Sequence, residues 1–138
     1  MKLPCEVAVK SVVPAIRALL AIELVETHSM KQREVADLLG ITQTAISKYT
    51  HHVRGGILAV GTEAEVMTLI AGTAASLANG NLKHAALARR ICATCRLVRE
   101  KRLMCELCKR TNPKLNTAQC QLCSFSSCDE PPARRRAR

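Results

Sequence analysis

Gly40 lies between two short amphipathic runs, and this arrangement restricts the fold more than any other part of the sequence. In the first run, Val35, Leu38 and Leu39 recur at the spacing of one helix face. Helices commonly end on a residue with left-handed backbone angles, which glycine adopts without a steric cost. The sequence therefore predicts a helix that ends at Gly40.

A second helix is predicted directly after this glycine. Thr42 is a suitable N-cap, and Ala45, Ile46 and Tyr49 fall on one side of the run that follows. The small side chain of Ala36 permits the two helices to cross closely. Two short helices joined by a tight, glycine-containing turn form a helix-turn-helix, whose second helix normally enters the DNA major groove.

The outward-facing side chains of the second helix are short and polar with one lysine, as contacts to bases and phosphates require. We predict the DNA-binding residues Thr42, Gln43, Thr44, Ser47, Lys48, His51 and Arg54. The alternative is an ordinary helical hairpin, which has no reason to carry this polar face beside Ala36 and Gly40.

The composition favours an all-α fold. Hydrophobic residues make up 48% of the chain but aromatic residues only 1%, so the core is built from Ala, Leu, Ile and Val. No apolar run is long enough to span a bilayer, and the N-terminus lacks the apolar region of a signal peptide. We therefore expect a cytoplasmic protein, in which eight cysteines indicate metal binding rather than disulfides.

Three further helices are predicted outside the pair. Residues 7–26 form one long, largely buried helix, in which Pro14 marks either a kink or a start. Residues 62–78 and 82–91 form the other two. A homodimer is expected, with the first helix or the small-residue helix 62–78 at its interface.

Six of the eight cysteines form three Cys-x2-Cys pairs. Such a pair places two thiolates on one side of a turn, and two pairs complete a tetrahedral metal site. The predicted metal ligands are Cys92, Cys95, Cys105, Cys108, Cys120 and Cys123. These six cysteines are compatible with one metal site built from two pairs plus a spare pair, with one bridged binuclear site, or with pairing across a dimer.

The spacing of the cysteines does not determine which metal is bound. Zinc is favoured because it is common in small modules of cysteine pairs, which it stabilises. The alternative is an iron–sulfur cluster, which would make the protein a sensor of oxygen, redox state or iron. The additional Cys128 favours a cluster, since a structural zinc site does not need it, but none of the spacings is a ferredoxin signature.

The net charge of +10 is concentrated in the cysteine-rich part. Residues 1–91 carry ten Lys and Arg against seven Asp and Glu, whereas residues 92–138 carry eleven against four. Beside a DNA-reading motif, this excess favours contact with a polyanion. Residues 129–138 are predicted to be a disordered basic tail, either solvated or acting as a non-specific DNA-binding arm.

Four segments, at residues 1–6, 14–17, 39–49 and 54–55, resemble the N-terminal domain of a family of archaeal predicted transcriptional regulators. The resemblance covers roughly residues 1–56 and implies a repressor-like, Xre-type helix-turn-helix. Some members fuse it to a thiamine-phosphate-synthase-like domain, for which this chain has no room, so thiamine sensing is not implied. Cys5 matches the family's opening motif, and we therefore assign it to the family's structure rather than to the metal cluster.

Taken together, these features predict an all-α chain in four parts. They are a helix-turn-helix DNA-binding domain (1–56), a helical linker or dimerisation region (57–91), a Cys-rich metal-binding module (92–128) and the tail (129–138). We expect a sequence-specific transcriptional regulator that binds double-stranded DNA. The alternative is an iron–sulfur redox-sensing protein or an RNA-binding zinc protein that uses the helix-turn-helix for partner contacts. No residue set indicates an enzyme, a small-molecule substrate or a membrane partner.

Overall fold

The computed structural model describes residues 2–51 and 60–124, and all regular secondary structure in these two stretches is helical. The predicted all-α class is therefore confirmed. The α-helices with both ends in the described residues are α1 (Pro4–Lys10), α2 (Val12–Glu26), α3 (Gln32–Leu39), α4 (Gln43–His51), α5 (Ala64–Ala78), α6 (His84–Glu100) and α7 (Cys105–Thr111), followed by a 3-10 helix at Leu122–Ser124. None of the helices in these stretches is both long enough and apolar enough to cross a membrane.

The central helix is α2, which packs against α1, α3, α4, α5 and α6. Its long apolar side chains, including Ile16, Leu20 and Leu24, are almost completely buried. Its small residues Ala18 and Ala21 are also buried and allow the surrounding helices to approach closely. The largely buried helix expected from the sequence is therefore covered by neighbours from the same chain.

Pro14 marks the start of a helix rather than a kink. The single helix predicted for residues 7–26 is wrong, because the chain breaks at Ser11 between α1 and α2. Proline lacks an N–H, and its ring collides with the carbonyl group four residues earlier, here that of Lys10, if the helix continues. The hydroxyl of Ser11 donates a hydrogen bond to the carbonyl oxygen of Val7 at 2.6 Å and so satisfies an acceptor at the end of α1.

The helix predicted for residues 82–91 continues for nine residues further, to Glu100. The boundary placed between residues 91 and 92 therefore falls inside α6. Leu87, Ile91, Cys95 and Val98 follow at helical spacing and belong to, or pack against, the hydrophobic core. The apolar stripe of the helix thus passes directly through the first cysteine pair.

The helix α5 closely matches the predicted range 62–78, and it is joined to the end of α6 by ion pairs. The Nζ atom of Lys101 lies 2.9 Å from Glu63 Oε1 and 3.1 Å from Glu65 Oε1. Both helices pack on α2 and on each other. The antiparallel pair therefore forms one side of the fold, and α3 and α4 also pack on α2.

Candidate nucleic-acid interface and metal centre

The turn between α3 and α4 has the conformation predicted from its glycine. Gly40 ends α3 with φ 64° and ψ 35°, in the left-handed region. The N–H of Ile41 donates to the carbonyl oxygen of Ala36 at 3.1 Å, which closes the turn. A Cβ atom at Gly40 would have no neighbour within 4 Å among the described residues, so the backbone angles, and not the available space, favour glycine here.

The start of α4 is capped by Thr42, as predicted. The Oγ1 atom of Thr42 accepts a hydrogen bond from the N–H of Ala45 at 3.1 Å. One turn further, Ile46 is fully buried in the same core as Val35 and Leu39 of α3. The cap and this buried side chain fix both the position and the rotation of α4.

The residues predicted to contact DNA lie mainly on the outer side of α4. Thr42, Gln43, Thr44 and Lys48 are exposed, and Ser47 is half-buried. At about 100° per residue, positions 43, 44, 47 and 48 span about 140° of the helix circumference, and Ile46 lies outside this arc. His51 is the last residue of α4, and Arg54 lies outside the described residues.

Four of the six predicted metal ligands line one small pocket. Cys105 and Cys108 belong to the first turn of α7, and Cys120 and Cys123 lie in the segment that follows it. The pocket has a volume of about 40 Å³ and a largely apolar lining. Two Cys-x2-Cys pairs therefore line one pocket, whereas the third pair does not line it.

The third pair, Cys92 and Cys95, lines a different cavity with a volume of about 470 Å³, in which it is joined by Cys5 of α1. The Nη1 atom of Arg99 donates to the Sγ atom of Cys5 at 3.4 Å. The sequence interpretation assigned Cys5 elsewhere and so missed its proximity to this pair. The available signal was its position three residues before the buried Ala8, although Cys5 itself is exposed.

Burial favours the neutral form of three of the thiols. Burial raises the pKa of Cys95, and the nearby Arg99 partly opposes this shift. Burial likewise raises the pKa of Cys108 and that of Cys123, which Arg99 again opposes. A metal binds the thiolate, so metal binding at these cysteines would release protons and strengthen with rising pH.

The described residues contain no group of three or more His, Cys, Asp or Glu that is already arranged to hold a metal ion. The donor set of the small pocket nevertheless fits zinc, because four thiolates are a common ligand set of closed structural zinc sites. Cys105 and Cys108 are also three residues apart on a helix, a spacing that places two side chains on the same face.

Comparisons of this chain with models of protein families, with curated proteins and with solved structures find no match. The resemblance to archaeal regulators stays a prediction. The interpretation of both candidate sites therefore rests on the chemistry of the chain's own residues.

Proposed function

We propose that this chain is a transcriptional regulator that binds double-stranded DNA, in which α3, the turn at Gly40 and α4 form a helix-turn-helix. The observation that carries the proposal is the division of α4 into two faces. Ile46 is fully buried, whereas Gln43, Thr44 and Lys48 are exposed. A reading helix needs this arrangement, because one face must anchor it while the other presents donors and acceptors to the groove.

The exposed side chains have chemically distinct roles in this proposal. The amide of Gln43 offers a donor and an acceptor, which match the N7 and N6 positions of adenine in the major groove. The hydroxyl and methyl groups of Thr44 suit a phosphate or a thymine methyl group. Lys48 supplies a positive charge for a phosphate, which contributes affinity but no sequence preference.

We also propose that Cys105, Cys108, Cys120 and Cys123 bind one structural zinc ion. Their location around one pocket of about 40 Å³ supports a single ion at this position. None of the residues of α7 is buried, so this part of the chain has little core of its own. Zinc binding would supply the missing stabilisation of this segment.

Two single substitutions test the reading role of α4 on a duplex selected by the wild-type protein. Lys48→Ala is expected to weaken binding to all sequences and to reduce the slope of log affinity against log salt by about 1, because one phosphate contact is lost. Gln43→Ala is expected to reduce discrimination against a changed base by about 1–3 kcal/mol. Equal and small effects of the two changes would contradict the proposal.

The matched control is Lys83→Ala, which removes the same charge from an exposed residue just before α6. This variant is expected to change affinity much less than Lys48→Ala. If the two lysine variants weaken binding equally, the effect comes from net charge, and α4 is not the contact surface. Circular dichroism of each variant shows whether the helical fold is retained.

The zinc site is tested by metal analysis of the full chain after gel filtration. One zinc ion per chain is expected for the wild type, and Cys120→Ser should lose it because one of four ligands is missing. If this variant retains zinc, the ion is bound by other residues and the proposed zinc site is wrong.

A further inference from the structure

A second group of thiols lines a different cavity from the four cysteines of the small pocket. Cys5 from α1 and Cys92 and Cys95 from α6 line the cavity of about 470 Å³, and none of the three lines the small pocket. Cys95 is buried, whereas Cys5 and Cys92 are exposed. The seven described cysteines are thus divided into a group of four and a group of three.

The cavity of about 470 Å³ has room for more than one metal atom. Thiolates around a single tetrahedral zinc ion lie about 3.8 Å apart, as follows from Zn–S bonds of about 2.3 Å. As in the small pocket, no three donors here are already arranged to hold one ion in this way among the described residues. In a [4Fe–4S] cluster each thiolate binds a different iron atom, so the thiolates can be farther apart than around one zinc ion.

The charges around the cavity suit an anionic group. Arg89, Arg96 and Arg99 line it and no acidic residue does, although Arg96 also pairs with Glu100 at 3.5 Å. The Nη1 atom of Arg99 already contacts Cys5 Sγ, while its Nε atom is buried and has no hydrogen-bond partner among the described residues. A buried N–H without a partner is costly. The sulfur atoms of a thiolate-held cluster are negatively charged acceptors, and a cluster beside Arg99 would satisfy this donor.

The remaining walls of the cavity are apolar. Ala8, Val9 and Val13 contribute from the N-terminal helices, and Ile91 contributes from α6. An apolar shell limits the access of water to a metal centre, although Val9 is itself largely exposed here. The cavity therefore combines three thiols, positive charge and an apolar wall on one side of the molecule.

We propose that Cys5, Cys92 and Cys95 bind an iron–sulfur cluster, with Arg99 as its hydrogen-bond donor and charge partner. Its three cysteines differ from the four proposed zinc ligands, and Arg99 lines both cavities. The cluster would join α1 to α6, and both of these helices pack on α2, which also contacts α3 and α4. Loss of the cluster would therefore loosen the support of the helix pair proposed to bind DNA.

The proposal is tested by anaerobic reconstitution of the full chain with ferrous iron, sulfide and zinc. Iron, acid-labile sulfide and zinc per chain are then measured, together with the visible absorption. The wild type is expected to hold iron and sulfide in addition to one zinc ion. Cys5→Ser should lose most of the iron, the sulfide and the visible absorption but keep its zinc. Arg99→Lys, which keeps the charge but not the guanidinium geometry, should bind the cluster about 10–100-fold more weakly.

The matched control is Cys120→Ser, which should lose zinc and retain iron and sulfide. Iron and sulfide retained by Cys5→Ser would overturn the proposal, as would a wild type that binds zinc but no sulfide. Simultaneous loss of both metals from Cys120→Ser, with the helical circular dichroism unchanged, would show one joint centre and would also overturn it. If Cys5→Ser fails to fold, Cys92→Ser at an exposed position provides the same comparison. Zinc content and DNA affinity are measured separately, so failure of the cluster is distinct from failure of the proposed regulator.

Discussion

Gly40 and Gly72 are two glycines for which the same substitution should have opposite effects on stability. Gly40 has left-handed backbone angles with φ 64°, whereas Gly72 lies inside α5. At both positions, a Cβ atom would have no neighbour within 4 Å among the described residues. Steric clashes therefore do not contribute, and the backbone conformation alone decides the sign of each change.

The expected magnitudes follow from the two conformations. An alanine with left-handed backbone angles lowers the stability of the folded state by about 1–2 kcal/mol. Alanine also reduces the conformational freedom of the unfolded chain, which offsets about 0.4–1 kcal/mol of this loss. Gly40→Ala should therefore destabilise the protein by about 1 kcal/mol. Gly72→Ala should stabilise it by about 0.5–1 kcal/mol, because alanine favours the helix. The hydrogen bond from Arg90 to the carbonyl oxygen of Gly72 involves no side chain of residue 72 and should persist.

Equilibrium unfolding in urea, followed by circular dichroism, measures both changes. The free energies of unfolding of the two variants should differ by about 1.5–2 kcal/mol, with unchanged m-values. Gly40→Asn should lose less stability than Gly40→Ala, because asparagine tolerates left-handed angles better. A Gly72→Ala variant that is as destabilised as Gly40→Ala would refute the reasoning.

Further substitutions test the cap of α4, its anchor and the ion pairs of Lys101. Thr42→Ala should cost about 1 kcal/mol of unfolding free energy, whereas Thr42→Ser should retain most of it, because serine keeps the capping hydroxyl. Ile46→Ala should cost about 2–5 kcal/mol in the same assay, since the side chain is fully buried. Hydrogen bonds and ion pairs with Glu63 and Glu65 raise the pKa of Lys101. The stabilisation that these interactions give the folded state is present below the ordinary lysine pKa, and it is lost as the pH rises through the raised pKa. In thermal unfolding scans, Lys101→Gln should remove this loss of stability at alkaline pH. The difference in stability between the variant and the wild type should shrink in high salt.

The local features of α3 and α4 were predictable because they depend on neighbouring residues. The left-handed angles at Gly40 and the cap at Thr42 follow from residue types within one turn of each other. The break at Ser11 was only partly predictable, since Pro14 allows either a kink or a start. The apolar stripe through Leu87 and Cys95 was also present in the sequence, although the cysteine pair suggested a turn there.

The grouping of the cysteines could not be predicted from their spacing. A Cys-x2-Cys pair defines which two thiols are neighbours but leaves open which pairs meet, because tertiary packing decides this. Cys5 contacts Arg99, a residue 94 positions away in the chain. The packing of α1 against α7 and of α2 against α6 places the N-terminal segment beside both groups of thiols. Apart from the position of Cys5 three residues before Ala8 on α1, a contact of this range leaves no pattern in a single sequence.

Selection of binding sites from a pool of random duplexes, with the full chain loaded with metal, tests most directly whether α4 reads DNA sequence. The wild type is expected to enrich one common site, and Gln43→Ala should enrich a less defined form of that site. An absence of enrichment would contradict DNA reading by α4, as would equal affinity for random duplexes and for single-stranded RNA.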